Sequence, residues 1–281
     1  MISLTRKADD KLECILCPHF CKLGVGKTGI CGVRKNAGEK IELTTYGVLS
    51  GYALDPVEKK PLYHFFPGHN ILSVGSFGCN MRCDFCQNYH ISQKVPDDPV
   101  PENLISKIID DALSAEKNIG IAFTYNEPII SFEYMRDVAV SAKIEGLYTV
   151  MVSNGYVNSN PLNDILEFID AFNIDLKGFT EEYYHKLRGD LATVKRTIEL
   201  AYAASHVEVT TLIVPGENDS DEEMEELSGW LSGISKDIPL HISRFFPRWQ
   251  MQDREATPVK QVYHLAEIAR KHLNYVHEGN C

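Results

Sequence analysis

The chain has 281 residues, of which 44% are hydrophobic and 24% charged, and its formal net charge at pH 7 is −11. This length can bury a full core without crosslinks, and the composition is that of an ordinary globular protein. The acidic balance argues against general binding to nucleic acid or to an anionic membrane surface. No apolar run approaches the ~20 residues that span a bilayer, and residues 1–10 lack a signal-peptide core, so we expect a cytoplasmic protein.

Residues 1–70 show no helical periodicity, and we predict that they form an N-terminal appendage, with a β-prone stretch from Ile41 to Ala53. Closely spaced cysteines in a chain without a secretion signal are typical of metal ligands rather than of disulfide partners. Four thiolates in a short segment can hold a zinc ion tetrahedrally or ligate an iron–sulfur cluster, and the spacing leaves both open. The four cysteines of this segment are Cys14, Cys17, Cys21 and Cys31.

Residues 71–281 alternate short apolar runs with amphipathic helical stretches, and we predict that they form the core domain. This alternation predicts parallel βαβ units. Roughly six units indicate an incomplete (β/α) barrel or a doubly wound sheet, and in either fold the chemistry lies at the carboxyl ends of the strands. The predicted strands are Ile71–Phe77, Ile119–Phe123, Tyr148–Ser153, Ala171–Leu176, His206–Val214 and Pro239–Phe245.

Two further patterns predict where helices begin. Ser220 with Glu223 forms a capping box, and Thr257 followed by Pro258 is typical of an N-cap with proline at the first helical position. On the sixth predicted strand, His241 is either a core histidine or a residue that reaches the site.

The first predicted strand leads into a loop that carries Cys79, Cys83 and Cys86. Three thiolates at this spacing can converge on one face of a [4Fe–4S] cluster, which usually has four cysteine ligands, so one iron stays open for a cofactor or substrate. Zinc is the alternative, but structural zinc needs four ligands and catalytic zinc sites usually include histidine. His90 is the only nearby candidate, and the spacing therefore favours the cluster.

The pattern Cys-x3-Cys-x2-Cys, with Phe85 directly before the last cysteine, resembles the signature of the radical S-adenosylmethionine (radical SAM) enzymes. The resemblance implies an α/β fold, namely a partial (β/α)6 TIM-like barrel with the N-terminal Cys-rich appendage added. It also implies an oxidoreductase that works anaerobically. In such enzymes the open iron chelates the methionine moiety of S-adenosylmethionine, and an electron from the cluster cleaves the sulfonium to give a 5′-deoxyadenosyl radical, which abstracts hydrogen from a substrate.

Segments at the following strand ends resemble those of pyruvate formate-lyase activating enzymes. The segment from Thr124 to Pro128 is similar to their Gly-Gly-Glu-Pro, which receives the methionine amino group, with Tyr125 and Asn126 in place of the two glycines. Ser153-Asn154-Gly155 is similar to their Thr-Asn-Gly, and an Asp-x-Lys pattern follows in which the lysine pairs with the cofactor carboxylate; strand alternation puts its two charges on one face. The resemblance thus implies six cofactor-binding residues, which are Phe85, Asn126, Glu127, Ser153, Asp175 and Lys177.

The whole arrangement has a closer resemblance to the AmmeMemoRadiSam-system radical enzymes, through Cys-x2-Cys-Pro-His-x-Cys, Asp-Pro-Val-Glu-Lys-Lys-Pro, Cys-Gln-Asn-Tyr and Thr-Tyr-Asn-Glu-Pro. This implies activation of a glycyl radical enzyme, or radical modification of a Memo- or AMMECR-type partner or of a metabolite, with a flavodoxin or ferredoxin as reductant. A non-catalytic two-cluster electron carrier is a further alternative. In these readings the N-terminal cysteines hold either a second cluster, which passes electrons, or zinc, which holds the appendage together. We assign no ligand role to Cys281.

Overall fold

The computed structural model describes residues 2–97, 99–101 and 104–281. Its centre is one eight-stranded sheet in the order β13-β12-β11-β10-β9-β8-β7-β6, in which every neighbouring pair is parallel except the antiparallel pair β6–β7. The bounds of its strands are β6 Gly51–Pro56, β7 Asn70–Gly75, β8 Asn118–Thr124, β9 Tyr148–Ser153, β10 Ala171–Asp175, β11 His206–Ile213, β12 Leu240–Arg244 and β13 Val276–Gly279.

The six predicted strands correspond to β7–β12, and their existence and parallel direction are confirmed. Two strands of the sheet were not predicted. The four residues of β13 have no apolar run and lie half-exposed at the edge, and β6 comes from the segment that we assigned to the appendage. The predicted boundary at residue 70 stays a prediction, although the hydrogen bonds of β6 join residues on both sides of it.

Ahead of the large sheet, the N-terminal residues form two small antiparallel units. Strands β1 (Thr5–Ala8), β2 (Lys11–Cys14) and β3 (Lys22–Leu23) pair as one sheet, and β4 (Arg34–Asn36) pairs with β5 (Ile41–Leu43). The β-prone stretch from Ile41 to Ala53 therefore contains β5 and the first half of β6, with turns between them.

Helices connect the parallel strands. Their bounds are α1 Tyr89–Ser92, α2 Ile105–Ser114, α3 Phe132–Ile144, α4 Ser159–Leu166, α5 Glu181–Lys186, α6 Leu191–Tyr202, α7 Asp221–Ile234 and α8 Val259–Ala269. The capping prediction at α7 is confirmed, because the Ser220 hydroxyl accepts the Glu223 N–H at 3.2 Å. The Thr257 prediction is wrong: its hydroxyl donates to the Ile213 carbonyl and accepts the Phe245 N–H, so it ties the ends of β11 and β12 together.

The sheet is strongly curved, and the segment after β6 closes its amino-terminal end. His64 lies eight residues beyond the end of β6, yet its Nε2 is 2.9 Å from Nε2 of His277 on β13. Eight extended residues reach only about 27 Å, whereas eight strands laid flat would be about 34 Å across. Strands β6 and β13 are not paired within the described residues, so the sheet is an open, partial barrel.

Glu208 stands at the centre of this closed end. Its fully buried carboxylate accepts the backbone N–H groups of Tyr63 and His64 and contacts the Nε2 atoms of His206 (3.0 Å) and His241 (2.6 Å). His241 is therefore a bonded core histidine, at the opposite end of the strands from the loop of Cys79. No helix among the described residues is long and apolar enough to cross a membrane.

Candidate active site

Cys79, Cys83 and Cys86 lie together in the loop that follows β7, at the carboxyl end of the sheet. The loop opens at Gly78, which has a φ of +86° and lies so close to the Cys31 carbonyl that a Cβ there would be 2.3 Å from the oxygen. Glycine is required at this position on both counts. Arg82 then braces the loop, since its guanidinium donates to the carbonyls of Cys79 and Ile30.

Polar groups of the chain lie next to two of the three thiols. The side-chain amide of Asn154 is 3.6 Å from Sγ of Cys79, and the hydroxyl of Ser92 is 3.2 Å from Sγ of Cys86. Neither residue was among the predicted site residues, although Asn154 belongs to the Ser-Asn-Gly motif. Burial raises the pKa of Cys83 to about 12 and that of Cys79 well above its usual range, so iron binding has to displace thiol protons.

The three thiols match in number the cysteine ligands of a [4Fe–4S] cluster that keeps one iron open. Among the described residues, no three Cys, His, Asp or Glu side chains converge as the ligands of one metal ion do. In a [4Fe–4S] cluster each cysteine binds a different iron, so the sulfurs surround the cluster rather than one point. His90, the histidine that a zinc site would need, is exposed on α1.

Glu127 is held rigidly between β8 and β9. Its carboxylate is 2% exposed and accepts the Ser153 hydroxyl at 2.8 Å, the Asn154 N–H at 2.7 Å and the Ile129 N–H at 3.1 Å. A carboxylate offers about four acceptor positions, so one is left for a further donor. Burial raises the pKa of Glu127 to about 7, and the three donors counteract that rise.

Asp175 and Lys177 form an ion pair at the end of β10, with Nζ of Lys177 2.6 Å from Oδ2 of Asp175. Burial opposes the charge on Lys177, but Asp175 and the Cys83 thiol outweigh it and raise the pKa of the lysine. The backbone here is fixed by Asn218, whose amide donates to the Lys177 carbonyl at 2.7 Å, and by Tyr184, whose hydroxyl accepts the Lys177 N–H. Tyr184 lies in α5, and the carbonyl of Leu187 at the end of that helix accepts the Arg82 N–H at 2.9 Å, so α5 joins this pair to the cysteine loop.

The other three predicted contact residues hold the surrounding structure. The Asn126 side chain accepts the Ser76 N–H and donates to the Gly78 carbonyl, so it clamps the start of the cysteine loop. The Ser153 hydroxyl donates to the Glu127 carboxylate and accepts the Gly155 N–H. Phe85 is 8% exposed and packs in the core. Their role as cofactor contacts stays a prediction.

Tyr125 occupies a position where the activating-enzyme pattern has glycine, and its φ is +73°. A non-glycine residue in this conformation is strained by about 1–3 kcal/mol. Its hydroxyl donates to Oδ2 of Asp55 at 2.9 Å, and Nζ of Lys60 lies 4.9 Å from the ring centroid. Lys60 is 2% exposed and itself bonds Asp55 at 2.8 Å, so the Asp-Pro-Val-Glu-Lys-Lys motif forms a buried ion pair beneath Tyr125.

The four N-terminal cysteines are also brought together. They line one cavity with Arg34 and with apolar side chains of Leu16, Ile30 and Ile130. All eight cysteines of the chain are free thiols. Cys281 is exposed, and its Sγ lies 3.6 Å from the Gly279 carbonyl oxygen rather than beside another cysteine.

Residues 73–230 match the family model of the radical SAM superfamily. The chain is 36% identical over 276 residues to an uncharacterized protein of Methanocaldococcus jannaschii, and the matched region covers 97% of this chain and 82% of that protein. It is 30% identical over 163 residues to pyruvate formate-lyase 1-activating enzyme of Escherichia coli K12, over 53% of this chain and 63% of that enzyme. The fold is similar to that of Streptococcus suis SuiB bound to S-adenosylmethionine, with a TM-score of 0.57 and 12% identity over 73% of this chain and 49% of that one.

An open, mostly parallel α/β sheet with a Cys-x3-Cys-x2-Cys loop at its carboxyl end defines an iron–sulfur enzyme of the partial-barrel type. The chain belongs to the radical SAM superfamily, as its cysteine motif predicted. Members of this superfamily are enzymes that use a [4Fe–4S] cluster and S-adenosylmethionine. The assignment to the AmmeMemoRadiSam group stays a prediction.

Proposed function

We propose that Cys79, Cys83 and Cys86 hold a [4Fe–4S] cluster with one open iron, at which the chain binds and reductively cleaves S-adenosylmethionine. When bound, the cluster supplies the electron for this cleavage, which releases methionine and a hydrogen-abstracting 5′-deoxyadenosyl radical. The observation that carries the proposal is the placement of a carboxylate and an ammonium group at the cysteine loop. Glu127 accepts the N–H of Asn154, whose amide is 3.6 Å from Cys79 Sγ. Lys177 is bonded to Tyr184 in α5, the helix whose C-cap carbonyl accepts an N–H of the loop.

The two charges complement the methionine moiety of the cofactor, which carries one ammonium and one carboxylate group. Glu127 has one free acceptor position and takes the ammonium group, which also lowers the pKa of this buried acid towards its usual range. Three donors from the chain keep its carboxylate from turning, so little reorganisation accompanies binding.

Lys177 takes the cofactor carboxylate. Asp175 keeps the lysine charged and holds its Nζ in place, while Asn218 and Tyr184 fix the backbone on either side. The lysine has three donor positions, so it can keep its bond to Asp175 and bind a second carboxylate. Asp175 is therefore a positioning residue for Lys177.

For the substrate we propose a protein, namely a glycyl radical enzyme from which the adenosyl radical abstracts a glycine hydrogen. The support is the similarity to pyruvate formate-lyase 1-activating enzyme, whose name states that it activates a protein. A flavodoxin or ferredoxin would supply the electron in the cytoplasm. The alternatives are modification of a Memo- or AMMECR-type partner or of a metabolite.

The cleavage is tested with anaerobically reconstituted protein, dithionite and S-adenosylmethionine, by measuring 5′-deoxyadenosine. We expect the wild type to form it and Cys83→Ala to form none, while Cys281→Ala, which removes an exposed thiol, matches the wild type. Equal product from Cys83→Ala overturns the proposal.

The substrate is tested by adding candidate glycyl radical enzymes and recording electron paramagnetic resonance (EPR) spectra. A glycyl doublet that depends on the wild-type chain supports activation. If 5′-deoxyadenosine forms but no doublet appears with any candidate, activation is wrong and the cleavage chemistry stands.

A further inference from the structure

One residue that lines the cavity between Cys14, Cys17, Cys21 and Cys31 has a buried N–H group without a hydrogen-bonding partner. Arg34 lines this cavity and its side chain is 1% exposed. Its terminal nitrogens donate to Glu133 and to the Ile130 carbonyl, but its Nε has no partner among the described residues. Buried N–H groups are almost always hydrogen-bonded, so an acceptor is expected next to this nitrogen, beside the cavity that Arg34 lines.

The chemistry of the cavity indicates what this acceptor is. Four thiols and one guanidinium face a space whose other walls are apolar. Four thiolates match the ligand set of a [4Fe–4S] cluster, whose inorganic sulfides accept hydrogen bonds from N–H groups, whereas a zinc ion itself offers no acceptor.

This cysteine group lies directly against the loop of Cys79. Asn80 directly follows Cys79 in the chain, and its Oδ1 accepts the Asn154 amide at 3.0 Å. Asn154 in turn is 3.6 Å from Sγ of Cys79. Asn80 is fully buried and its carbonyl oxygen contacts His19, two residues after Cys17, so it links the two cysteine groups.

Backbone contacts also hold the N-terminal cysteines against the loop of Cys79. Nε2 of His19 lies 2.7 Å from the Asn80 carbonyl oxygen, and the Cys31 carbonyl packs against Gly78. Electron transfer becomes steeply slower with distance, and these contacts keep the two cysteine groups close to each other. The contacts therefore suit the two groups for exchange of electrons.

The surface around the N-terminal cysteines has the charge that an acidic partner would need. Residues 1–40 contain eight Lys and Arg, of which Arg34 is buried, against four Asp and Glu, whereas the whole chain has 28 against 39. Lys22, next to Cys21, and Lys27 are exposed. A basic surface on an acidic protein attracts an acidic partner to that surface and raises the rate of encounter.

We propose that Cys14, Cys17, Cys21 and Cys31 hold a second [4Fe–4S] cluster, which receives one electron from an acidic carrier protein and passes it to the cluster of Cys79. The carrier is oxidised by one electron as the second cluster goes from the 2+ to the 1+ state. That cluster returns to 2+ when the Cys79 cluster is reduced, and no atom moves. The relay rests on the proposed function for its acceptor, whereas the second cluster rests on the N-terminal residues alone.

The second cluster is tested by removing the first. The full-length variant Cys79→Ala/Cys83→Ala/Cys86→Ala keeps the N-terminal cysteines, and after anaerobic reconstitution we expect about four irons and four sulfides per chain, and an EPR signal on reduction. One zinc and no iron, or no metal at all, overturns the proposal. The wild type should hold about eight irons per chain and show the broadened EPR spectrum of two interacting spins; two independent signals overturn the relay.

The relay is tested by comparing two reductants. We expect Cys17→Ala to lose the iron of the second cluster, and the ratio of flavodoxin-driven to dithionite-driven formation of 5′-deoxyadenosine to fall relative to the wild type. An unchanged ratio with the iron lost overturns the relay. If Cys17→Ala does not fold, the metal content of the triple variant and the spin interaction in the wild type decide. If the wild type holds both clusters but forms no 5′-deoxyadenosine with dithionite, the proposed function fails and the second cluster stands.

Discussion

The side-chain nitrogen of Asn154 lies 3.6 Å from the sulfur of Cys79, and it reaches this position because Oδ1 of Asn154 accepts the N–H of Tyr156. The residue directly after β9 thus supplies an N–H donor to the Cys79 sulfur. An N–H donor at a cluster sulfur stabilises the reduced, more negative state and raises the reduction potential.

Replacing this donor should therefore lower the potential of the Cys79 cluster. For Asn154→Leu we expect a decrease of about 40 mV, the one-electron equivalent of about 1 kcal/mol of hydrogen bonding. An EPR-monitored redox titration of the reconstituted protein measures it, with Asn274→Leu, on the surface beside Asp237, as control. A potential equal to that of the wild type would remove Asn154 from the environment of the cluster.

Lys177 should determine the affinity for S-adenosylmethionine, while the cysteines still hold the cluster without it. Lys177→Met loses a charged hydrogen bond to the cofactor carboxylate, worth about 1.5–3 kcal/mol, so the Kd should rise about 10–100-fold at unchanged iron content. Titration calorimetry under anaerobic conditions measures this, and Lys260→Met, at an exposed lysine, is the matched control. Wild-type affinity in Lys177→Met would contradict the proposed binding mode.

Tyr125 should stabilise the fold through Asp55. Its hydroxyl donates to the carboxylate of Asp55. Burial would raise the pKa of Asp55, but the bonds from Lys60 and Tyr125 outweigh burial and lower this pKa below its usual range. We expect Tyr125→Phe to lower the free energy of unfolding by about 1.5–3 kcal/mol, the value of a hydrogen bond to a charged group. Urea unfolding measures the change, and Tyr263→Phe, at an exposed tyrosine, should have no effect. Equal midpoints for the two variants would contradict this role.

Glu208 should make stability depend on acid pH. Burial alone would raise its pKa, but two histidines and two backbone N–H groups outweigh burial and lower it to about 2, against 4.5 for an ordinary glutamate. A depressed pKa contributes stability that is complete above pH 4.5 and is lost as the pH falls towards 2. Glu208→Gln should therefore lower the free energy of unfolding at pH 7 by about 3 kcal/mol.

The measurement for Glu208 is urea unfolding at pH 7 and at steps down to pH 3. The difference between wild type and Glu208→Gln should shrink as the pH falls, while Glu167→Gln, at an exposed glutamate, stays close to the wild type throughout. A difference that does not change with pH would mean that the ionised carboxylate of Glu208 is not what stabilises this end of the sheet.

Lys22 and Lys27 should affect the delivery of electrons by a protein carrier. With Lys22→Glu/Lys27→Glu, we expect the ratio of flavodoxin-driven to dithionite-driven cleavage to fall at low salt, and the difference to narrow as added salt screens the charges. Lys260→Glu/Lys271→Glu makes the same change in net charge elsewhere on the chain. An equal loss in both double variants would show a general effect of charge rather than a docking surface.

The sequence was sufficient to predict those parts of the fold and site that depend on nearby residues. The strands β7–β12 each carry a local apolar run, and the three cysteines of the loop lie within eight residues, so both are visible as patterns. The edge strand β13 has no such run, because its residues lie half-exposed and are held by pairing with β12. Pairing of this kind depends on distant residues, which no local period reveals.

Motif matching also identified residues more reliably than contacts. Asn126 and Ser153 stay predicted cofactor contacts, and the motif did not reveal that their side chains also hold Gly78 and Glu127. The motif fixes which residue follows a strand, whereas the side chain's partner depends on the neighbouring strand. Glu208 shows the same limit, since its partners Tyr63 and His64 lie about 145 residues away along the chain.

The Cys31 carbonyl occupies the space that a side chain at Gly78 would fill, and this has a consequence for biogenesis. Residues 14–31 leave the ribosome well before the loop of Cys79, but they cannot complete their packing until that loop arrives. A side chain at Gly78 would therefore push the Cys31 carbonyl away and disturb both cysteine groups at once, whereas the loss of a thiol in one group leaves this backbone contact in place.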